Sequence, residues 1–234
     1  MKAETLARLN ADRATKRGVV LATDLASGEA ALLYPPDFAS PFGPQAAAAA
    51  REAWRSERSG KPEGLDRPLF LNVFAPPARM IVVGAVHISQ ALAPMAAMAG
   101  YDVVIIDPRR AFASEARFPG VMLDFSYPDE AMARLAPDRG TAVITLTHDP
   151  KIDDPALIAA LGSEAFYIGA LGSKKTHAAR LARLAKAGFD AAAQARIHGP
   201  VGLRIGAKSP AEIAISILAE VTAHRRGAAE PAEG

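Results

Sequence analysis

Between residues 79 and 177, four apolar runs each end abruptly in chemically loaded residues. They read Met80-Ile-Val-Val-Gly-Ala-Val-His87, Val103-Val-Ile-Ile-Asp-Pro-Arg109, Ala142-Val-Ile-Thr-Leu-Thr-His-Asp149 and Phe166-Tyr-Ile-Gly-Ala-Leu-Gly-Ser-Lys-Lys-Thr-His177. Short β-branched runs separated by Ala-rich amphipathic stretches are the pattern of parallel strands covered by helices on both faces. The spacing therefore predicts an α/β fold, a parallel sheet with helices on both faces. In such sheets ligands bind beyond the carboxyl ends of the strands. Gly84, His87, Asp107, Arg109, His148, Asp149, Gly172, Lys174 and Lys175 all fall there. This half of the chain reads as built around a ligand.

The alternation becomes regular from Arg79. Strands are expected at 80–85, 102–107, near 121–124, at 141–147 and at 165–169, with helices at 87–99, 128–136, 154–162 and 174–187. A last helix, Pro210–Arg226, has Ser209 as N-cap and Pro at its first position. Upstream, residues 1–17 read as a helix, and Val19–Thr23 and Ala30–Tyr34 flank a Ser27-Gly28 turn as a hairpin. A proline-rich loop, a helix over Ala46–Glu57 and a strand over Leu69–Phe74 follow. The organisation expected is a small α+β N-terminal segment (1–77), a parallel α/β ligand-binding domain (78–227) and a disordered tail (228–234).

Composition narrows the function. The 234 residues are 50% hydrophobic, enough for a sizeable core, and 27 Lys plus Arg against 25 Asp plus Glu leave a net charge of only +2. With 6% aromatics and no aromatic-basic interleaving, nucleic acid is not an expected partner. There is no cysteine, which excludes disulfides, Cys-ligated zinc, iron–sulfur clusters and any thiolate or persulfide carried by this chain. The N-terminus carries charge throughout, and no stretch approaches the roughly 20 apolar residues of a membrane span. A cytoplasmic protein is expected, with no membrane partner.

Each polar cluster has a functional reading beside a structural one. Gly84 sits where a dinucleotide fold carries Gly-x-Gly-x-x-Gly, but Val86 and Ser89 replace the later glycines, so the turn is an altered anion site or a plain structural turn. His87 at its mouth touches ligand or caps the helix. Asp107, 23 residues after Gly84, stands where an acid binds a ribose hydroxyl, and Arg109 beside it suits a phosphate. The alternative is an Asp-Pro turn with a solvated arginine. Phe112 and Phe118 are expected to fold the following loop back onto the sheet. His148 and Asp149 form either an acid/base or ligand-orienting pair or an ordinary helix entry. Gly172, Ser173, Lys174, Lys175 and Thr176 bring free N–H groups, hydroxyls and two cations to one helix start, as an anion requires, although no Walker A loop is matched. His198, Arg204 and Lys208 lie on a glycine-rich connection that is equally a structural loop.

Taken together, these residues resemble the xanthine dehydrogenase accessory (XdhC/CoxI) family of molybdenum-hydroxylase maturation factors. The matching elements run from about Arg79 to Arg226. They are Val-Gly-Ala-Val-His87, Ile-Asp-Pro-Arg109, Arg117-Phe-Pro119, Leu-Thr-His-Asp149, Tyr167-Ile-Gly-Ala-Leu-Gly-Ser173, Lys175-Thr-His177, Gly199-Pro-Val-Gly-Leu203 and Ile205-Gly-Ala-Lys-Ser-Pro-Ala-Glu-Ile213. The resemblance implies a Rossmann-like domain that binds molybdenum cofactor (pyranopterin) as cargo, assists its sulfuration and inserts it into an apo-molybdenum hydroxylase. It also implies a homodimer. Two departures stand out: Val86 where the family commonly has glycine, and a shorter cysteine-free segment in place of an N-terminal Gly-Ser-Ile-Gly-Gly-Gly-Cys motif. Sulfur would then come from a cysteine desulfurase. The reading is a non-catalytic or weakly catalytic accessory protein, with no catalytic residue and no metal ligand assigned. Its rivals are an NAD(P)-binding oxidoreductase using the same crevice and a pure protein-interaction module.

Overall fold

The computed structural model describes residues 2–227, so the expected tail at 228–234 lies outside the described residues. The chain divides into two compact units between Pro77 and Ala78. In the first, α1 (Ala3–Ala14), β1 (Val19–Asp24), β2 (Ala30–Leu33), α2 (Pro44–Ser56) and β3 (Leu69–Phe74) follow in order, and the strands form an antiparallel sheet ordered β2-β1-β3. The hairpin read from Ser27-Gly28 is present, with Val20 opposite Leu33. Strand periodicity divides β1 between two layers: Val19 and Leu21 pack with Leu9 of α1, Val20 and Ala22 with Ala50 of α2. Helix α1 stops short of the expected residue 17 because Lys16 turns left-handed (φ 54°).

The second unit is the parallel sheet. It comprises β4 (Arg79–Val83), α3 (His87–Met98), β5 (Asp102–Ile106), β6 (Met122–Asp124), α4 (Pro128–Leu135), β7 (Thr141–Thr145), α5 (Pro150–Leu161), β8 (Tyr167–Ala170), α6 (Lys174–Lys186), α7 (Ala191–Gln194), β9 (Ile197–His198) and α8 (Pro210–Arg225). The strand order is β6-β5-β4-β7-β8-β9, all parallel. Numbered within the unit this is 3-2-1-4-5-6, the Rossmann order. Its topological switch lies between β4 and β7, where the chain first builds one way and then the other.

Both faces of the strands are apolar, as their unbroken β-branched runs require. Met80, Val82, Ala142 and Ile144 pack on one side with Leu92, Ala93 and Ala96 of α3 and Ala214, Ile217 and Val221 of α8. Ile81, Val83, Val143 and Ile168 pack on the other with α4, α5 and Leu184 of α6. At about 1.5–3 kcal/mol per fully buried aliphatic side chain, these layers are the main stabilising contribution, and they hold the strand ends rigid.

The start of one helix and two short elements differ most from expectation. Helix α5 begins at Pro150 rather than 154, because Asp149 caps it by accepting from the Lys151 N–H and Pro150 suits the first position. Strand β9 and the single turn α7 are additions to the expected elements: two and four residues carry no readable period. The last helix starts as expected, with a full capping box between Ser209 and Glu212.

Candidate functional site

The switch-point turns touch. Gly84 adopts φ 115°, and a Cβ there would stand 2.7 Å from Thr147 Cγ2, so glycine is required by backbone conformation and by close approach of the β4 and β7 turns. Val86 forms the N-cap of α3 without a side-chain cap bond, and His87 is exposed at the first helical position. The first-turn N–H groups of α3 therefore carry no side-chain cap, with the Val86 side chain beside them.

Asp107 is fully buried, and its carboxylate is saturated. Its two oxygens accept from the Ala85 N–H (2.8 Å), the Arg109 N–H (2.9 Å), Arg109 Nε (2.9 Å) and Arg109 Nη2 (2.8 Å). Burial pushes its pKa up, but the bonds from Arg109 and Ala85 outweigh this and hold it below the ordinary carboxylate value. A carboxylate offers about four acceptor sites, so none is left for a ribose hydroxyl. In this arrangement Asp107 locks the β4–α3 turn and orients Arg109. The Arg109 side chain is 38% exposed, and its bonds to Asp107 first, then the charges of Asp149 and Asp153, raise its pKa.

At the β7 end, the expected pair separates in role. Asp149 is the α5 cap, whereas His148 is exposed with φ 62° and its N–H donates to Asp153 Oδ2 (3.1 Å). Asp153, 1% exposed, also accepts from Thr147 Oγ1 (2.6 Å) and the Thr147 N–H (3.3 Å). Burial raises its pKa against these bonds. A non-glycine residue held left-handed at a strand end stores strain, and Asp153 is what holds it.

At the β8 end, Ser173 caps α6 by accepting from the Thr176 N–H (3.1 Å), and the Ser173 and Thr176 hydroxyls are 2.9 Å apart. These two hydroxyls thus build the turn, while Lys174 and Lys175 are exposed at the helix start. Beneath it lies Arg180, 1% exposed, whose Nη2 donates to the Leu171 carbonyl (2.7 Å) and stands 3.9 Å from Asp153. Its Nε and Nη1 have no hydrogen-bond partner, nor has Nδ1 of His177. Burial lowers the pKa of both side chains. A Cβ on Gly172 (φ 149°) would stand 3.8 Å from Arg180 Nη1, so the guanidinium lies directly under the glycine turn.

Gly84, His87, Asp107, Arg109, His148, Asp149 and the Gly172–Thr176 turn therefore share the C-terminal edge of four adjacent strands, β5, β4, β7 and β8. His198 is directed elsewhere: its ring stacks on Tyr167 (4.5 Å) and faces Glu220 of α8. The backbone N–H of Lys208 donates to Glu212 in the cap of α8. Sequence reasoning misses Asp153 and Arg180. They lie inside helices, four residues after Asp149 and seven after Ser173; a charge among the core-facing residues of α5 is the signal for Asp153, whereas Arg180 is one of several cations on α6. Among the described residues no helix is long and apolar enough to cross a membrane.

A parallel sheet in the order 3-2-1-4-5-6, with polar turns gathered at its switch-point edge, defines a Rossmann-type domain. The profile of the XdhC Rossmann domain matches residues 80–221, and the chain belongs to that family. It is 36% identical over 152 residues to the molybdenum cofactor insertion chaperone PaoD of Escherichia coli (strain K12), covering 65% of this chain and 42% of PaoD. It is 30% identical over 159 residues to a Bacillus subtilis (strain 168) protein named as a probable xanthine dehydrogenase component, covering 68% and 46%. The chain thus spans less than half the length of these curated relatives. A crystal structure from Bacillus halodurans, described as a xanthine dehydrogenase, shares the fold: TM-score 0.73, 23% identity, 98% of this chain and 66% of that one.

Proposed function

We propose that this chain is a maturation factor for a molybdenum hydroxylase, holding molybdenum cofactor at the C-terminal ends of β4, β5, β7 and β8 and assisting its sulfuration and insertion. The observation that carries the reading is the β8–α6 turn. A helix N-terminus bearing Lys174 and Lys175 sits above a buried guanidinium with two unpartnered nitrogens. An anionic group completes such an arrangement, and the cofactor carries a phosphate. Gly84, His87, Arg109, His148 and Asp149 are the further contacts, Asp107 acts through Arg109, and Gly172, Ser173 and Thr176 shape the phosphate turn. The name of the relative PaoD supports the cargo.

NAD(P) is the weaker alternative. Val86 stands where a dinucleotide-binding turn carries glycine, and the acceptor sites of Asp107 are taken by Ala85 and Arg109. The proposed partners are an apo-hydroxylase and, because this chain has no cysteine to carry a persulfide, a cysteine desulfurase. The setting is the cytoplasm, and a homodimer is the proposed assembly. Reconstitution tests this: cofactor and apo-hydroxylase with this protein are expected to give active enzyme efficiently only when a desulfurase and cysteine are added. Full activation without the desulfurase would remove it from the scheme, and no effect of this protein in either case would remove the maturation role.

A further inference from the structure

The crevice has a second end, away from the anion turn, where the loop between β5 and β6 rises. That loop is apolar enough to pack down, and Phe118 does so at 2% exposed. Phe112 does not: it is 47% exposed, although the sequence suggests that both rings fold inward. The loop is nevertheless held firmly. Arg117 donates through Nη1 to the carbonyls of Ala85 (3.0 Å) and Phe112, and through Nη2 to Gln90 of α3 (2.8 Å). The Phe112 N–H donates to the Arg109 carbonyl (2.9 Å), closing a tight turn. One guanidinium thus ties the Phe112 backbone to the turn that opens α3. A second, Arg109, lies over the Phe112 ring with Cζ 4.8 Å from its centroid. Arg109 is fixed by two side-chain bonds to buried Asp107.

Phe112 thus stands half-exposed beside Arg109 in the loop that follows β5, with its backbone fixed by Arg117 and by the turn to Arg109. Rings and guanidinium planes are the surfaces on which flat heterocycles stack. We propose that Phe112, backed by Arg109, is the platform for a planar heteroaromatic ring of the ligand. This rests on the reading that the crevice holds a cofactor, and it gives that cofactor a direction. The ring lies at the end of β5 and the anionic group at the end of β8, three strand spacings away, roughly 14 Å. A pterin with a phosphate-bearing arm and a nucleobase with its phosphates share this chemistry.

The test titrates the full chain, Phe112→Ala and Phe112→Trp with metal-free molybdopterin, NADH and inorganic pyrophosphate. Phe112→Ala is expected to weaken ring-bearing ligand binding about tenfold or more, Phe112→Trp to keep it, and pyrophosphate to bind all three alike. Tight molybdopterin binding unchanged in folded Phe112→Ala overturns the platform and leaves the carrier reading intact. NADH binding that needs Phe112, with no molybdopterin binding, keeps the platform and removes the pterin cargo. Failure of both ring ligands to bind the native chain overturns platform and cargo together. An equal loss of pyrophosphate binding in Phe112→Ala overturns the ring-specific role.

Discussion

Asp153→Ala is expected to destabilise the protein by about 3–5 kcal/mol, measured by denaturant unfolding, because it removes one member of a buried ion pair and leaves the other charge uncompensated. Arg180 is 1% exposed and already has two unpartnered nitrogens, and Asp153 is the carboxylate within ion-pair distance of it. The same substitution strips acceptors from Thr147 and His148, so the effect reaches both the β7 and β8 turns. Arg180→Met in the Asp153→Ala background is expected to restore part of the loss, with a coupling of about 1–3 kcal/mol. The pH dependence has a definite sign. Burial raises the Asp153 pKa, so its ionised form opposes folding, and this opposition fades as pH falls through the raised folded value towards the ordinary carboxylate range. That acid-side relief should vanish in Asp153→Ala. A loss under about 1 kcal/mol, the size of an ordinary substitution effect, would mean the pair does not hold the turns together.

Lys174→Ala combined with Lys175→Ala is expected to weaken molybdopterin binding at least about a hundredfold, from two charge-assisted contacts of roughly 1.5–3 kcal/mol each. Both side chains are exposed, so the melting temperature should hardly change. The residual binding should then come from the α6 N–H groups and the buried Arg180 charge, and its salt dependence should be shallower than that of the native chain. Unchanged affinity in the folded double variant would remove the anion site from the β8–α6 turn.

The sequence was most legible where the period was longest. Fully apolar strands such as Met80–Val83 and Ala142–Ile144 announce a sheet buried on both faces, and the polar residue that stops each run marks the ligand edge. What could not be read is how those polar residues divide the work. Asp107 and Arg109 stand two apart in sequence, and nothing in that spacing says that one carboxylate will absorb four donors and present the other side chain. His148 and Asp149 look like a pair, yet a left-handed turn sends them to different tasks. Phe112 and Phe118 look alike, and only the path of the loop decides that one is core and the other surface. Arg180 is hidden in sequence among the surface cations of α6, because helix phase alone does not tell which of several arginines points beneath the turn. The small strand β9 is too short for any period to register.

Whether the strand-end crevice holds molybdenum cofactor is measured most directly by the identity of the ligand that stays with the full chain on purification from cells making the cofactor. That ligand is read by fluorescence after oxidation and by mass. A phosphorylated pterin at close to one per chain, lost in the Lys174→Ala/Lys175→Ala variant, is the predicted result. A nicotinamide dinucleotide in its place, or an empty protein that also fails to take up added molybdopterin, would contradict it.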